Sequence, residues 1–420
     1  MAYIKEFSAL RFTEKAGDPA ELCCPPYDII SAAEKQDFLN KNPYNIIKLE
    51  LPEPSDAGYL SAKETFEKWL SDGILAVDSK PAIYIYEEKF SVKNVNYAFK
   101  GFVCNVKLAQ FSEGVILPHE ETLSKAKTDR FNLLNSTGCS FSQIYSLYSD
   151  GENEISPIIE ELSSGAPHTS FTDGASVTHS LWIAEKSDKT AELCAKFADK
   201  TLYIADGHHR YETALNYQKY VKENGLDVKN SDFVMMFLVN MENKGLVVFP
   251  THRIVRGLDN FDGKKLLSDS EKYFTVTKLD KNDAENYLDA AYEKGEKAFV
   301  YFDKDYYGLK LKDITVMDKL FPEKSEALRR LDVSVLHSLV LEELLGIDKE
   351  NMAQQINLTY TRDIKEAQVA VKDGANCCFL LNPTRVSEIS EVAKAHEKMP
   401  QKSTYFYPKL ITGLVMNKVR

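Results

Sequence analysis

The sequence predicts an α/β (α+β) protein: a mixed sheet with covering helices, plus a small inserted α/β subdomain. Three observations carry that expectation. Stretches of two-residue apolar alternation and stretches of helical periodicity follow one another along most of the chain, the pattern of a sheet with helices packed on it. At 420 residues the chain exceeds one simple core and fits two or three packed units. Its apolar share (44%) and charged share (27%) are those of an ordinary globular protein, and no apolar run approaches the ~20 residues of a membrane helix.

The elements follow in order. In "CCPPYDIISAAEKQDFL" two prolines force an extended backbone, and Ser31 with Glu34 three positions on forms a capping box that opens a helix. That helix stops near Pro43. A second runs from Asp56 to Leu70, with Tyr59, Ala62, Phe66 and Trp69 on one face and Gly73 as its stop. "PAIYIYEEKFSV" and "NYAFKGFVCNVKL" read as paired strands with a turn near Asn94. Helix and strand patterns then alternate as far as "GLVVFPTHRIV". Residues 258–318 read as helix, strand, helix and two short strands around "DKDYYG", charged and without a chemical motif. The spacing predicts a further helix over Asp332–Leu345, a strand at "QQINLTY", a helix from Asp363, a strand at "CCFLLNP" and a helix to His396. The organisation expected is an N-terminal α/β unit over 1–257, an inserted subdomain over 258–318, and a C-terminal segment over 319–420 packing on the first unit.

Charge and cysteine usage exclude several functions. A net charge of −11 with no Lys/Arg-rich run disfavours nucleic acid as a partner. The start, "MAYIKEFSALRF", lacks a signal peptide's basic start and unbroken apolar stretch. Seven cysteines, four of them in the adjacent pairs Cys23-Cys24 and Cys377-Cys378, match neither zinc spacing nor a disulfide framework. A cytoplasmic protein with reduced thiols, no membrane segment and no DNA partner is expected.

The chemistry concentrates in four places. "TLYIADGHHRYETAL" is a buried-strand pattern running into Asp206-Gly207-His208-His209-Arg210 and then a helical pattern. The N–H groups of a helix start lack intrahelical partners, a glycine lets an anion approach them, and an arginine can clamp phosphate. An acid in that position suggests Mg²⁺ shared between Asp206 and phosphate oxygens. In "LPHEETLSKAKTDRFNLL", His119 and Glu120 begin like a zinc-protease box, but Leu123 replaces the second histidine. Glu120 or Glu121 is left as a candidate general base, with Lys125, Lys127 and Arg130 as candidate phosphate contacts. A charged helix start explains the same residues equally well. "FPTHRIVRG" places His252 and Arg253 at a strand end, an arrangement more often structural than catalytic. "MPQKSTYFYPK" packs Gln401, Lys402, Ser403, Thr404 and Lys409 into nine residues, suited to phosphate or carboxylate. The Walker, dinucleotide-fold and serine-hydrolase motifs are missing.

Six motifs in fixed order, "PPYDII", "NPYNIIKLE", "HEETLSKAKTDR", "ADGHHRYETAL", "PTHRIV" and "MPQKSTYFYPKLITGLV", resemble domain-of-unknown-function family 1015 over nearly the whole chain. The Asp-Gly-His-His-Arg box further resembles the phosphate-binding box of the ParB/sulfiredoxin-like fold. ParB has Gly-Glu-Arg-Arg where Gly207, His208, His209 and Arg210 stand here. Sulfiredoxin has its reactive cysteine where His208 stands. The Asp-Gly-His box of free-serine kinases is more similar. The resemblance implies a ParB/sulfiredoxin-like core and a Mg²⁺-dependent kinase using ATP or ADP on a small hydroxylated metabolite, with free L-serine leading. In that expectation Asp206 holds Mg²⁺, the Gly207, His208 and His209 amides cradle phosphates with Arg210, and His209 counts with Asp206 and Glu120 as catalytic. Glu120 accepts the hydroxyl proton, while Lys402, Ser403 and Thr404 bind phosphate or the substrate carboxylate. Two alternatives stay open: a phosphoserine phosphatase with His119, Asp206 and His209 as metal ligands, and a nucleotide-binding switch without catalysis.

Overall fold

The computed structural model describes every residue except Glu121 and Leu123. The chain divides into two units. The first comprises residues 1–118, 122–247 and 408–420, the second residues 119–121 and 248–407.

The first unit is built on a nine-stranded mixed sheet among the described residues. Its order is Ile116–Leu117, Leu202–Asp206, Ile144–Tyr148, Phe233–Asn240, Val95–Lys107, Ala82–Val92, Thr178–Glu185 and Thr169–Thr172, with Ile4–Lys5 pairing the long 95–107 strand from outside that path. Strands 82–92 and 95–107 form an antiparallel hairpin. Its turn residues, Lys93 and Asn94, both have positive φ (48° and 64°), the geometry whose twist matches that of the flanking strands. Two pairings are parallel, 202–203 with 116–117 and 236–240 with 144–148. Apolar side chains of these strands, among them Ile83, Phe102, Ile144, Ile204 and Met236, make one core with Leu193, Phe197 and Tyr211.

A second cluster lies under the helices. The expected capping box is present: Ser31 Oγ accepts from Glu34 N, and Glu34 accepts from Ser31 N. Such a cap contributes on the order of 1 kcal/mol. The helix Asp56–Ser71 buries Tyr59, Ala62, Phe66 and Trp69, the face expected from their spacing, against Ile46, Leu49 and Phe141.

The second unit carries a six-stranded sheet, antiparallel throughout, among the described residues. Its order is Phe274–Leu279, Tyr306–Leu311, Ala298–Phe302, Cys377–Leu380, His252–Val255 and Leu358–Thr361. The division therefore differs from the one expected. Residues 258–318 do supply the helix–strand–helix–two-strand run, but these strands share one sheet with 252–255, 358–361 and 377–380, so they are no separate insertion. The stretch 319–420 is likewise divided, 319–407 lying in the second unit and 408–420 in the first. Hydrogen bonding between strands distant in sequence decides this, and periodicity does not report it. The adjacent cysteines have a simple reason. Cys377 and Cys378 alternate along a central strand, so each faces a different core cluster. All seven cysteines are free thiols. Among the described residues no helix is long and apolar enough to cross a membrane.

Candidate functional site

The Asp-Gly-His-His-Arg box lies in the first unit, where strand Leu202–Asp206 meets helix His208–Glu223. Immediately before the box the pairing with strand 144–148 slips: Ile204 faces Ser146 and Asp206 faces Tyr145, so Ala205 is an extra residue. A bulge of this kind re-aims the side chain that follows it. Gly207 caps the helix at φ 94°, ψ 28°, a left-handed conformation that L side chains rarely adopt. A β-carbon there would also stand 2.9 Å from the Arg210 guanidinium. Both the turn and the arginine thus require glycine.

Asp206 is clamped by two cations. Its Oδ2 accepts from Arg210 at 2.7 Å, and Lys409 Nζ closes on Oδ1. The three side chains retain only 14%, 12% and 10% of their exposure for Asp206, Arg210 and Lys409. Burial acts to raise the Asp206 carboxyl, but Lys409 and Arg210, with His208 adding to them, hold it well below the usual carboxylate range. Arg210 also donates to the carbonyl of Gln143 at 2.5 Å. Lys409 arrives on the segment 408–413, which is pinned when Gln143 Nε2 donates to Ile411 O and Thr412 N donates to Cys24 O. The result is a net positive centre at the start of a sixteen-residue helix, whose first N–H groups have no partner within the helix itself.

Mg²⁺ at Asp206 does not fit this arrangement. Both carboxylate oxygens already hold cations, and among the described residues no group of three or more His, Cys, Asp or Glu side chains forms a metal site. The structure thus replaces the expected metal carboxylate with an internal counter-ion that positions Arg210 and Lys409.

Arg130 is committed inward. It is buried, donates to Glu50 O at 2.7 Å and to Asp129, and stacks on the Tyr27 ring at 4.1 Å. Lys127 is taken by Glu212 at 2.7 Å, so neither is a phosphate contact as it stands. Glu50, the last residue of "NPYNIIKLE", is the group that sequence reasoning missed. It is fully buried, and burial raises its carboxyl despite Arg130, Arg210 and the Ser142 hydroxyl at 3.0 Å. An acid three and four residues after Ile47 and Ile46, on their helical face, was the available signal. Glu50, Arg130, Ser142 and Arg210 line a cavity of about 60 Å³, room for water-sized molecules only.

The other expected residues lie in the second unit. His119 is buried, its Nε2 bonded to Thr404 Oγ1 at 2.9 Å and its carbonyl accepting from Met399 N. Glu120 is half-buried, and Glu121 falls outside the described residues. Ser403 is buried with its hydroxyl on Pro400 O, while Lys402 is exposed in the left-handed region at φ 57°. His252 accepts from Leu381 N at 3.2 Å through Nδ1, and burial beside Arg253 lowers it to about 4, so it is a neutral structural acceptor. Arg253 is buried as well, with its guanidinium on Thr251 O, Lys402 O and His337 Nε2. The sequence candidates are thereby divided between the units: 206–210, Arg130 and Lys409 in the first, and His119, Glu120, His252, Arg253 and 402–404 in the second.

The fold is mixed α/β, with Arg210 and Lys409 brought to a glycine-capped helix start. The chain belongs to the family described as "Protein of unknown function (DUF1015)", whose model matches residues 4–334. No curated protein matches it in sequence. Similar solved structures include a free serine kinase in complex with AMP, at 13% identity, 73% coverage of this chain, 88% of that one and a TM-score of 0.38. A conserved hypothetical protein from Pyrococcus furiosus stands at 16%, 70%, 87% and 0.33, and SbnI from Staphylococcus aureus at 11%, 74%, 87% and 0.35 in the same order.

Proposed function

We propose that the box cradles nucleotide phosphates, and that the protein is a nucleotide-dependent phosphotransferase acting on a small hydroxylated metabolite. The single observation that carries this reading is the clamp of Arg210 and Lys409 on Asp206 beside the Gly207-opened helix start. One carboxylate leaves two cations with a net positive charge and holds them in place, and phosphoryl transfer needs fixed positive charge more than covalent chemistry. ATP or ADP is the donor proposed. Free L-serine is the first acceptor to test, because the Asp206-Gly207-His208 sequence resembles the free-serine kinase box. Any Mg²⁺ enters with the nucleotide through phosphate oxygens rather than through Asp206.

The phosphatase reading is not favoured, since the ligands it needs are committed elsewhere: Asp206 to two cations and His119 to Thr404. The test is incubation of the protein with Mg²⁺, a nucleotide panel and an amino-acid panel, followed by phosphorus NMR. Phosphoserine formed only when nucleotide and serine are both present supports the reading. Phosphate release from phosphoserine without nucleotide, or a nucleotide-induced rise in melting temperature with no product, overturns it in favour of a phosphatase or a switch respectively. Glu120→Gln and Glu50→Gln in the same assay decide which carboxylate takes the hydroxyl proton.

A further inference from the structure

The second unit contains a cavity of about 250 Å³ that the reading above does not use. One wall is the helix that begins at Asp332. After one α-turn (Asp332–Val335) it widens into a π-helical stretch, Leu336–Glu342. Such turns are rare and occur mostly where function requires them. This helix puts Ser334, His337, Ser338 and Glu342 on the cavity wall, and Ser334 and His337 are the buried ones, 8% and 5% exposed.

Both are set up to donate. The Ser334 hydroxyl is buried and has no hydrogen-bond partner among the described residues. Leaving such a group unsatisfied is unfavourable, so its persistence at a cavity wall points to a ligand. Arg253 donates its Nε–H to His337 Nε2 at 3.3 Å, which assigns the remaining ring proton to Nδ1. Burial and the Arg253 charge keep that ring neutral.

Charge supplies an independent observation. Arg253 is 1% exposed, and the Glu120 carboxylate favours its charged form. Its guanidinium meets two carbonyls and a neutral imidazole, and burial lowers it only to about 10, so it is charged at neutral pH. Four cations line the described cavity; Arg329 pairs with Asp318 and Lys324 lies 3.9 Å from Glu397, which leaves Lys349 and Lys398 against the one lining carboxylate, Glu342. This is a local reversal in a chain of net charge −11. Phe321, Met352 and Met399 make the remaining surface apolar.

We propose that this cavity binds a small organic anion: a carboxylate carrying a hydrophobic group, with the carboxylate on Ser334 and His337 and the hydrophobic group against Phe321, Met352 and Met399. Ligand sites commonly combine such a mostly apolar wall with a few convergent donors. The proposal does not depend on the phosphate cradle, and it gives the second unit a binding activity of its own.

The test is calorimetric titration of the full chain with phenylacetate as the probe. Phenylacetamide keeps the shape without the charge, and acetate keeps the charge without the ring. Phenylacetate is expected to bind at least roughly tenfold more tightly than either control, a difference of about 1.4 kcal/mol. Met352→Trp, which fills the cavity, is expected to abolish that binding while the protein melts as before. Ser334→Val is expected to weaken binding without lowering the melting temperature, because it removes the unsatisfied hydroxyl. Equal affinity for phenylacetate and phenylacetamide, no binding at millimolar concentration, or unchanged affinity in a folded Met352→Trp protein would each overturn the proposal.

Discussion

Lys409 closes on the carboxylate of Asp206 across 203 positions of sequence, opposite the Arg210 contact on the other oxygen. A carboxylate so placed is a buried counter-ion first. Its removal leaves two cations in an environment that has little water to solvate them.

Asp206→Asn is therefore expected to destabilise the protein by about 3 kcal/mol, the scale for a broken buried ion pair, even though asparagine suits the backbone. Thermal melting checks this. Adding Lys409→Met should recover part of the loss, and strict additivity of the two effects would show that the pair is not coupled.

Gly207→Ala is expected to lower stability by about 1–3 kcal/mol, since φ 94° strains any other L residue. It should also weaken nucleotide binding, because the new methyl group occupies the place of the Arg210 guanidinium. Calorimetry with ADP measures the second effect. A variant that binds ADP normally would separate the box from nucleotide recognition.

A pH effect follows from a buried network elsewhere in the first unit. Tyr86 Oη lies 2.6 Å from Glu88 and 2.7 Å from His179 Nδ1, with Asp173 3.2 Å from His179 Nε2. Burial alone would lower the His179 pKa, but Asp173 and Glu88 outweigh it and raise it to about 9. A folded pKa above the unfolded value stabilises fully below about pH 6.5, and that stabilisation is lost as pH rises through 9. The expected loss is on the order of 3 kcal/mol between those limits, read as a falling melting temperature that flattens in His179→Gln.

DNA binding is expected to be negligible at physiological salt, given the net charge of −11 and a box in which His208 and His209 replace charged residues of ParB. Fluorescence anisotropy with a labelled duplex checks this. Tight binding with a steep salt slope would refute it.

Local chemistry made much of the fold legible. The capping box at Ser31 and Glu34, the buried face of helix 56–71 and the hairpin turn at Lys93-Asn94 each arise from interactions within a few residues, so local spacing reports them. The strand–glycine–helix junction at 202–208 was legible for the same reason. Arg210 was placed there as a phosphate clamp, and its pairing with Asp206 four residues earlier was not foreseen.

The tertiary structure decided what those groups do. Nothing in the spacing of residues 401–409 indicated that Lys409 would meet Asp206 while Ser403 turned its hydroxyl to Pro400, because that outcome depends on how distant segments fold back. The burial of Glu50 and of Arg253 was likewise decided only by packing, since burial is a property of the packed chain. The boundary between the units followed strand pairing, not periodicity. A strand's pattern shows which face is buried, but only long-range hydrogen bonds choose its neighbours, and here they placed 258–318 in the same sheet as 252–255 and 377–380.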